Sequence, residues 1–155
     1  MGLEDVTETG VSPWGDGNPS EKAKKLATSL YEVLNDGEVT AIDEYHSETL
    51  DYYRSSNELG SRQDLKDDVR MFLRAFPDLE ATILDVFADD EDENLVTLRY
   101  EIEGTHAGTF ETIPPTDQHV RAKGIGIARF DDEEVVEFSL VFDNLGMLED
   151  LGLIK

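Results

Sequence analysis

The chain has 155 residues, a length that favours one domain with its own hydrophobic core. It contains no cysteine, which excludes disulfides and thiolate metal sites. Its 36 acidic and 13 basic side chains give a net charge of −23, and such a surface repels nucleic-acid phosphates and anionic lipid, so we expect neither nucleic acid nor membrane as a partner.

The amino-terminal segment carries no targeting signal that we recognise. Its first residues are acidic and lack the apolar stretch of a signal peptide, and no apolar run approaches the ~20 residues of a membrane span. We therefore expect a cytoplasmic protein. Residues 1–18 contain several glycines and Pro13 without periodicity, which predicts a flexible arm, and residues 19–155 are left as the single folded domain.

Three helices are predicted in the first half of the chain. The first begins at the favoured N-cap Ser20 and runs to about residue 35, because leucine and valine recur after Ser20 at helical spacing. A short helix is predicted over residues 41–46. The third opens at Ser61, the start of a capping-box pattern, and ends before Pro77, which cannot continue a helix.

The second half of the chain alternates apolar and polar residues, as strands do. Strands are predicted over residues 79–87, 95–103, 118–130 and 135–142, and a short helix over 144–151. Helices and strands do not alternate along the chain, which disfavours a parallel sheet with crossover helices. The predicted fold class is therefore α+β: a curved antiparallel sheet wraps over the N-terminal helices as a cone with an interior cavity, and a short C-terminal helix follows. Gly124 and Gly126 within one strand predict a bend or bulge that lets the sheet curl.

The most specific pattern lies between residue 104 and the C-terminal segment. It consists of Gly-Thr-His-Ala-Gly-Thr-Phe over 104–110, Ile-Pro-Pro-Thr over 113–116, and Asp143 before a short Leu- and Gly-rich segment. In this order the pieces resemble the SnoaL-like polyketide cyclase (ester cyclase) family of the nuclear transport factor two-like superfamily. The resemblance covers roughly residues 20–152. It implies the same α+β cone, a small-molecule ligand in an apolar cavity, no metal or cofactor, and a homodimer.

The resemblance also implies a chemistry and a residue to carry it. Characterised family members close a polyketide ring by intramolecular aldol condensation with an acidic residue as general acid/base, and Asp143 stands where that residue stands in the motif. Asp143 follows the apolar residues 140–142, and an apolar surrounding would raise the pKa of its carboxyl towards neutrality. The alternative role is N-cap of the last helix. Strict alternation puts Asp143 on the strand face opposite Phe138, so it reaches the cavity only past the strand end or after a bulge.

Further side chains are predicted around Asp143. His106 is the candidate proton-transfer partner or oxyanion donor, with a loop histidine satisfied by backbone as the alternative. The predicted substrate pocket contains Tyr53, Tyr100, Phe138 and Arg99. Core packing is the alternative for the tyrosines, and Arg99 shares its parity with an exposed sheet face. His46 and His119 are predicted to be surface residues.

Three positions depart from the family pattern, and one of them is the hairpin over residues 131–134, which reads Asp-Asp-Glu-Glu where Asp-Gly-Lys is usual. The segment that usually offers a histidine reads Leu-Asp-Tyr-Tyr over residues 50–53, and Phe138 stands where the last strand usually carries tryptophan. Tyrosine in place of histidine removes a group that titrates near neutral pH.

The expected function is that of a cofactor-independent cyclase-like enzyme, which uses Asp general acid/base chemistry on a small apolar carbonyl or ester substrate. The alternative is a non-catalytic small-ligand-binding or interaction domain on the same fold, because a fold does not determine a function.

The acidic surface predicts a dependence of stability on salt. The acidic side chains are spread along the chain and only six lysines are present, which we interpret as adaptation to high salt; an ordinary acidic cytosolic protein is the alternative. We expect a lower melting temperature in dilute buffer than in molar salt, because a Debye length of ~3 Å at 1 M screens the self-repulsion. Thermal unfolding followed across a salt series, with a sucrose series as control, measures this. An unchanged melting temperature contradicts the interpretation.

Overall fold

The computed structural model describes residues 20–54 and 57–155. The predicted arm over residues 1–18 lies outside the described residues. The helices are α1 (Glu21–Leu34), α2 (Ile42–Tyr45), α3 (Arg62–Ala75) and α4 (Asn144–Asp150), and a 3-10 turn covers Val39–Ala41. The strands are β1 (His46–Tyr53), β2 (Leu59–Gly60), β3 (Glu80–Ala88), β4 (Leu95–Thr105), β5 (His119–Asp131) and β6 (Glu134–Phe142). Within the described residues, no helix combines the length and the apolar character that crossing a membrane requires.

The two long helices begin where their capping residues predict. The Ser20 hydroxyl accepts a hydrogen bond from the Ala23 amide at 3.0 Å at the start of α1. At the start of α3, Ser61 and Asp64 form the reciprocal capping box, which confirms that prediction. The short helix predicted over 41–46 is observed as the 3-10 turn followed by α2, and neither piece has a side-chain cap.

The six strands form one sheet in the order β2-β1-β6-β5-β4-β3. Neighbouring strands are antiparallel except β1 and β6, which run parallel. The sheet is curved and does not close, so the predicted α+β cone with a short C-terminal helix is confirmed. The sequence analysis did not predict β1, because most of its residues are polar and its long-range partner β6 leaves no local signal.

One face of the sheet packs against α1 and α3. Buried and exposed residues alternate without interruption along β5, as they must in a strand with only one covered face. Leu98 and Val96 on β4 are fully buried, and Leu26 from α1 belongs to the same hydrophobic cluster. Complete burial of each such side chain contributes ~1.5–3 kcal/mol.

Polar side chains from the end of α1 bind the backbone of β3, which is an edge strand of the sheet. The Tyr31 hydroxyl accepts a hydrogen bond from the Ile83 amide at 2.8 Å. The Asn35 side chain accepts from the Ala81 amide at 2.7 Å and donates to the Ala81 carbonyl at 3.0 Å. These bonds hold α1 against the sheet at a fixed position along the strand.

The two glycines of β5 make room for aromatic rings. Pairing of β5 with β4 and with β6 runs through both glycines without a shift, so no bulge interrupts the strand there. A Cβ atom on Gly124 would lie 2.5 Å from the Tyr100 hydroxyl, and one on Gly126 would lie 3.1 Å from the ring of Phe138. The rings of Tyr100 and Phe138 therefore lie across β5 where other strands carry side chains of their own.

Candidate active site

A cavity of about 520 Å³ lies between the helices and the concave face of the sheet. Volumes of this size are typical of small-molecule sites. Aromatic rings form much of its wall: Phe72 lies 5.1 Å from Phe110 and 5.7 Å from Phe142, measured between ring centroids. The polar or charged side chains on the wall are Ser29, His46, Tyr52, Arg54, Glu58, Asp68, Tyr100, Glu111 and Asn144. A mostly apolar wall with a few polar groups is suited to orient an apolar ligand.

Tyr100, for which the sequence analysis gave both a pocket position and core packing, lines this cavity and also belongs to the hydrophobic core cluster. It is buried, and its hydroxyl has no hydrogen-bond partner among the described residues. Burial raises the pKa of the Tyr100 hydroxyl well above its ordinary value. The hydroxyl is therefore protonated at neutral pH and free to donate a hydrogen bond to a ligand. Phe138, also predicted in the pocket, lines the cavity beside it.

Tyr52, and not the predicted Tyr53, is the cavity residue of the Leu-Asp-Tyr-Tyr segment. Tyr53 points to the opposite face of β1 and is 43% exposed. The Tyr52 hydroxyl donates to Asp68 at 2.9 Å, and burial raises the Tyr52 pKa. The sequence analysis selected the wrong parity because the alternation of β1 was not recognised.

Arg54 contributes the positive charge of the cavity wall, and neighbouring carboxylates neutralise that charge. Its guanidinium donates to both carboxylate oxygens of Asp68, at 3.0 and 2.9 Å, in the fork geometry that arginine favours. Glu58 lies 3.4 Å from the same guanidinium. Arg54, Asp68 and Tyr52 thus form one polar cluster that joins β1 to α3.

His46 lies on the cavity wall, although it was predicted to be a surface residue. The residue is 5% exposed, and its ring packs edge-on against Phe138 with 6.0 Å between ring centroids. Its Nδ1 lies 3.1 Å from the Ile42 carbonyl oxygen. Histidine at the first residue of an unrecognised strand carried no signal of burial. The burial of His46 follows from its place in β1, and the sequence analysis did not predict that strand.

His106 is fully buried and does not line the cavity. The Thr116 amide donates to His106 Nδ1 at 3.2 Å, so Nδ1 carries a lone pair and the proton lies on Nε2. Nε2 has no hydrogen-bond partner and is enclosed, and the ring packs against Phe76 with 5.5 Å between centroids. This geometry matches the alternative noted for His106, a loop histidine bound by backbone.

The segment over residues 104–110, which contains His106, forms a loop that packs against the end of α3. The Ala107 and Gly108 amides both donate to the Ala75 carbonyl oxygen, at 3.0 and 3.1 Å. The following Phe110 then turns into the cavity. The Gly-Thr-His-Ala-Gly-Thr-Phe segment over 104–110 therefore contributes the ring of Phe110 to the cavity wall and none of the polar groups named above.

Asp143 is exposed and caps α4. Its carboxylate accepts a hydrogen bond from the Gly146 amide at 2.9 Å. Asp143 does not line the cavity, whereas Phe142 and Asn144 on either side of it do. Alternation along β6 accounts for this, since Asp143 shares the outer face with the exposed Val141.

Arg99 also lies on the outer face, where it binds Asp85 of β3 at 2.7 Å. It was predicted in the pocket, with an exposed sheet face as the alternative. Strand pairing explains why Arg99 lies on the exposed face. Arg99 pairs with Asp85 on β3 and with Ile125 on β5, and both side chains are directed away from the helices.

Two comparisons with known proteins are informative, one for the family and one for the fold. The family model of the SnoaL-like polyketide cyclases matches residues 24–151. Among solved structures, a putative hydroxylase from Streptomyces galilaeus, AclR, has 25% identity and a TM-score of 0.79, with 89% of both chains covered. A putative polyketide cyclase from Streptomyces antibioticus, IdmH, has 24% identity and a TM-score of 0.74 over 86% of this chain and 99% of its own. No curated protein sequence matches this chain.

The capping contact of Asp143 predicts a specific pattern of stability. We expect Asp143→Ala to lower the free energy of unfolding by about 1 kcal/mol, because the Gly146 amide loses its acceptor. Asp143→Asn should leave that free energy unchanged, since asparagine caps helices as well as aspartate does. Urea unfolding at fixed salt measures both, with Asp90→Ala in an exposed turn as control. Equal stability of the alanine variant and the parent would contradict the capping role.

Proposed function

The chain belongs to the SnoaL-like polyketide cyclase family, and from that premise we propose that it is a cofactor-independent cyclase-like enzyme. Its substrate is a small apolar carbonyl or ester compound held in the cavity. The reaction is an intramolecular aldol closure: a proton leaves a carbon next to one carbonyl, and that carbon then attacks a second carbonyl of the same molecule.

The observation that carries this proposal is the free hydroxyl of Tyr100 in an apolar cavity. Aldol chemistry places negative charge on a carbonyl oxygen in the transition state, and a positioned donor that is shielded from water stabilises that charge. Tyr100 provides such a donor, since its hydroxyl stays protonated and has no partner among the described residues. Gly124 supports the position of the hydroxyl because it leaves space beside the ring.

The charges on the wall favour a neutral substrate. Glu58, Asp68 and Glu111 contribute negative charge, and Arg54 is already bound to Asp68. A carboxylate or phosphate would meet repulsion without a free cation among the described cavity residues. A ketone or an ester meets no such repulsion, which supports a neutral carbonyl compound.

The acid/base role predicted for Asp143 requires a rearrangement. The carboxylate would have to release the Gly146 amide and turn from the outer face towards the cavity, between Phe142 and Asn144. We therefore propose that the acid/base chemistry belongs to polar groups already on the cavity wall. The alternative of a non-catalytic ligand-binding domain uses the same cavity without turnover.

We also propose a homodimer formed through the outer face of the sheet. Four large apolar side chains on that face are between 43 and 66% exposed: Phe87, Ile125, Ile127 and Val141. They are contiguous, because Ile125 pairs with Val141, and Thr97 lies between Phe87 and Ile127. A face shared by two identical copies in an isologous arrangement buries all four on each subunit.

Removal of the Tyr100 hydroxyl tests the proposed reaction. We expect Tyr100→Phe to lower kcat by about 10²–10³-fold, which is the loss that follows deletion of one oxyanion donor. KM should change little, because the donor acts mainly on charge that develops in the transition state. Turnover is measured by absorbance with a panel of apolar dicarbonyl compounds, methyl esters among them, that can close to a cyclohexenone ring.

Two further variants complete that experiment. Tyr53→Phe removes an exposed hydroxyl outside the cavity and should leave kcat unchanged. Asp143→Asn, which keeps the helix cap, should retain turnover within a few-fold; a loss comparable to that of Tyr100→Phe would restore Asp143 as the acid/base. Binding of the panel without turnover by the parent protein would favour the non-catalytic alternative.

A charge placed on the outer face tests the dimer. We expect the parent protein to sediment as a dimer and Ile127→Asp to sediment as a monomer, because an aspartate at a dry interface is not compensated. Leu59→Asp is the matched control, since Leu59 is 61% exposed on β2 near the opposite edge of the sheet. Sedimentation velocity in molar salt measures all three, and a monomeric parent protein excludes the proposed interface.

A further inference from the structure

His46 holds a fixed tautomer on the cavity wall. A carbonyl oxygen only accepts hydrogen bonds, so the 3.1 Å contact between His46 Nδ1 and the Ile42 carbonyl requires the proton on Nδ1. In the neutral ring the lone pair then lies on Nε2. The backbone of α2 thus determines which nitrogen of His46 can accept a proton.

The lone pair on Nε2 is accessible from the cavity. Among the described residues, only one enclosed side-chain nitrogen or oxygen has no hydrogen-bond partner, and that atom is His106 Nε2. His46 Nε2 has no hydrogen-bond partner either, yet it is not enclosed, and His46 lines the cavity. A ligand in the cavity therefore has access to an unprotonated imidazole nitrogen.

The surroundings keep this ring neutral. Burial lowers the pKa of His46 to about 4, and the Arg62 guanidinium, which donates to the His46 carbonyl oxygen at 3.2 Å, acts in the same direction. The hydrogen bond to Ile42 and the charge of Asp43 oppose the shift. From β6 the apolar Phe138 packs against the ring, and the apolar Val135 pairs with His46 in the sheet. At neutral pH the imidazole is thus as basic as an ordinary carboxylate and carries no charge into the apolar cavity.

The oxyanion donor lies on the same concave face. Phe138 contacts His46 on one side and stacks with Tyr52 on the other, with 6.4 Å between the centroids of Phe138 and Tyr52. Tyr52 and Tyr100 both line the cavity. A proton acceptor and a hydroxyl donor therefore border one apolar volume.

We propose that His46 Nε2 is the proton acceptor for a carbonyl compound bound in the cavity, an inference that rests on the proposed function for the identity of the ligand. Nε2 takes a proton from the carbon next to the carbonyl. The electron pair of that C–H bond forms the C=C bond of the enolate, and the π pair of the carbonyl moves onto its oxygen, which accepts a hydrogen bond from Tyr100. The enolate carbon attacks the second carbonyl and forms the new C–C bond. The resulting alkoxide takes the proton back from the imidazolium, and the neutral ring is restored.

Hydrogen–deuterium exchange tests the acceptor without ring closure. Methyl naphthyl ketone is neutral and apolar, it has exchangeable protons next to its carbonyl, and it has no second carbonyl to attack. We expect the protein in heavy water to accelerate the loss of its methyl signal in proton NMR, and His46→Asn to reduce that acceleration about 10²–10⁴-fold. Asparagine retains an N–H for the Ile42 carbonyl and lacks the base. His119→Asn, at an exposed histidine, is the control.

The pH dependence gives an independent readout. Exchange by the parent protein should be fully active at neutral pH and decline as pH falls through about 4, because protonation of Nε2 removes the lone pair. Circular dichroism at each pH verifies that the fold persists. Nitrogen NMR of the parent protein reports the tautomer directly, so this measurement does not depend on a variant that folds.

The outcomes separate this inference from the proposed function. Exchange that depends on His46 while no dicarbonyl compound cyclises overturns ring closure and supports His46 as acceptor. Cyclisation with exchange unchanged in His46→Asn overturns the role of His46 and leaves the cyclase proposal intact. A proton on Nε2 of the resting protein, or no exchange above buffer, also overturns the role of His46.

Discussion

The architecture depends on the fact that side chains alternate across each strand while helices cover only one face of the sheet. This constraint assigns strand residues either to the covered face, which contains the core and the cavity, or to the outer face. Tyr100 and Phe138 fall on the covered side, whereas Arg99 and Asp143 fall on the other side. The chemistry available to a bound molecule is therefore decided by strand parity. Asp143 occupies the position of the acidic residue in the family motif, and strand parity nevertheless places it on the outer face.

Alternation would produce a filled core if every inward position carried a large side chain. The inward positions of β5 include Gly124 and Gly126, which carry no side chains. The rings of Tyr100 and Phe138 on the neighbouring strands lie over these glycines, and the space that they do not fill is the cavity. Phe110 delimits that volume at the end of α3, where the loop after β4 is bound by the Ala75 carbonyl. The segment over residues 104–110 thus contributes shape, and the polar groups of the cavity wall come from other positions.

Much of the fold could be predicted from local patterns, since the caps at Ser20 and Ser61 and the alternation from Leu79 onwards act within a few residues. The first strand could not, because its pairing with β6 joins distant parts of the chain and its own residues are mainly polar. That single omission accounts for the choice of Tyr53 over Tyr52 and for the assignment of His46 to the surface. His106 was predicted to be a proton-transfer partner or oxyanion donor, but its burial and its hydrogen bond with Thr116 are properties of the folded loop that the sequence pattern does not contain.

The bonds between α1 and β3 have a consequence for how copies of this protein meet. An edge strand with free amides can recruit a strand from another molecule and so begin aggregation. Tyr31 and Asn35 occupy the amides of Ile83 and Ala81, so two hydrogen-bonding positions of this edge are closed to an incoming strand. The two occupied amides thereby oppose open-ended strand addition at this edge.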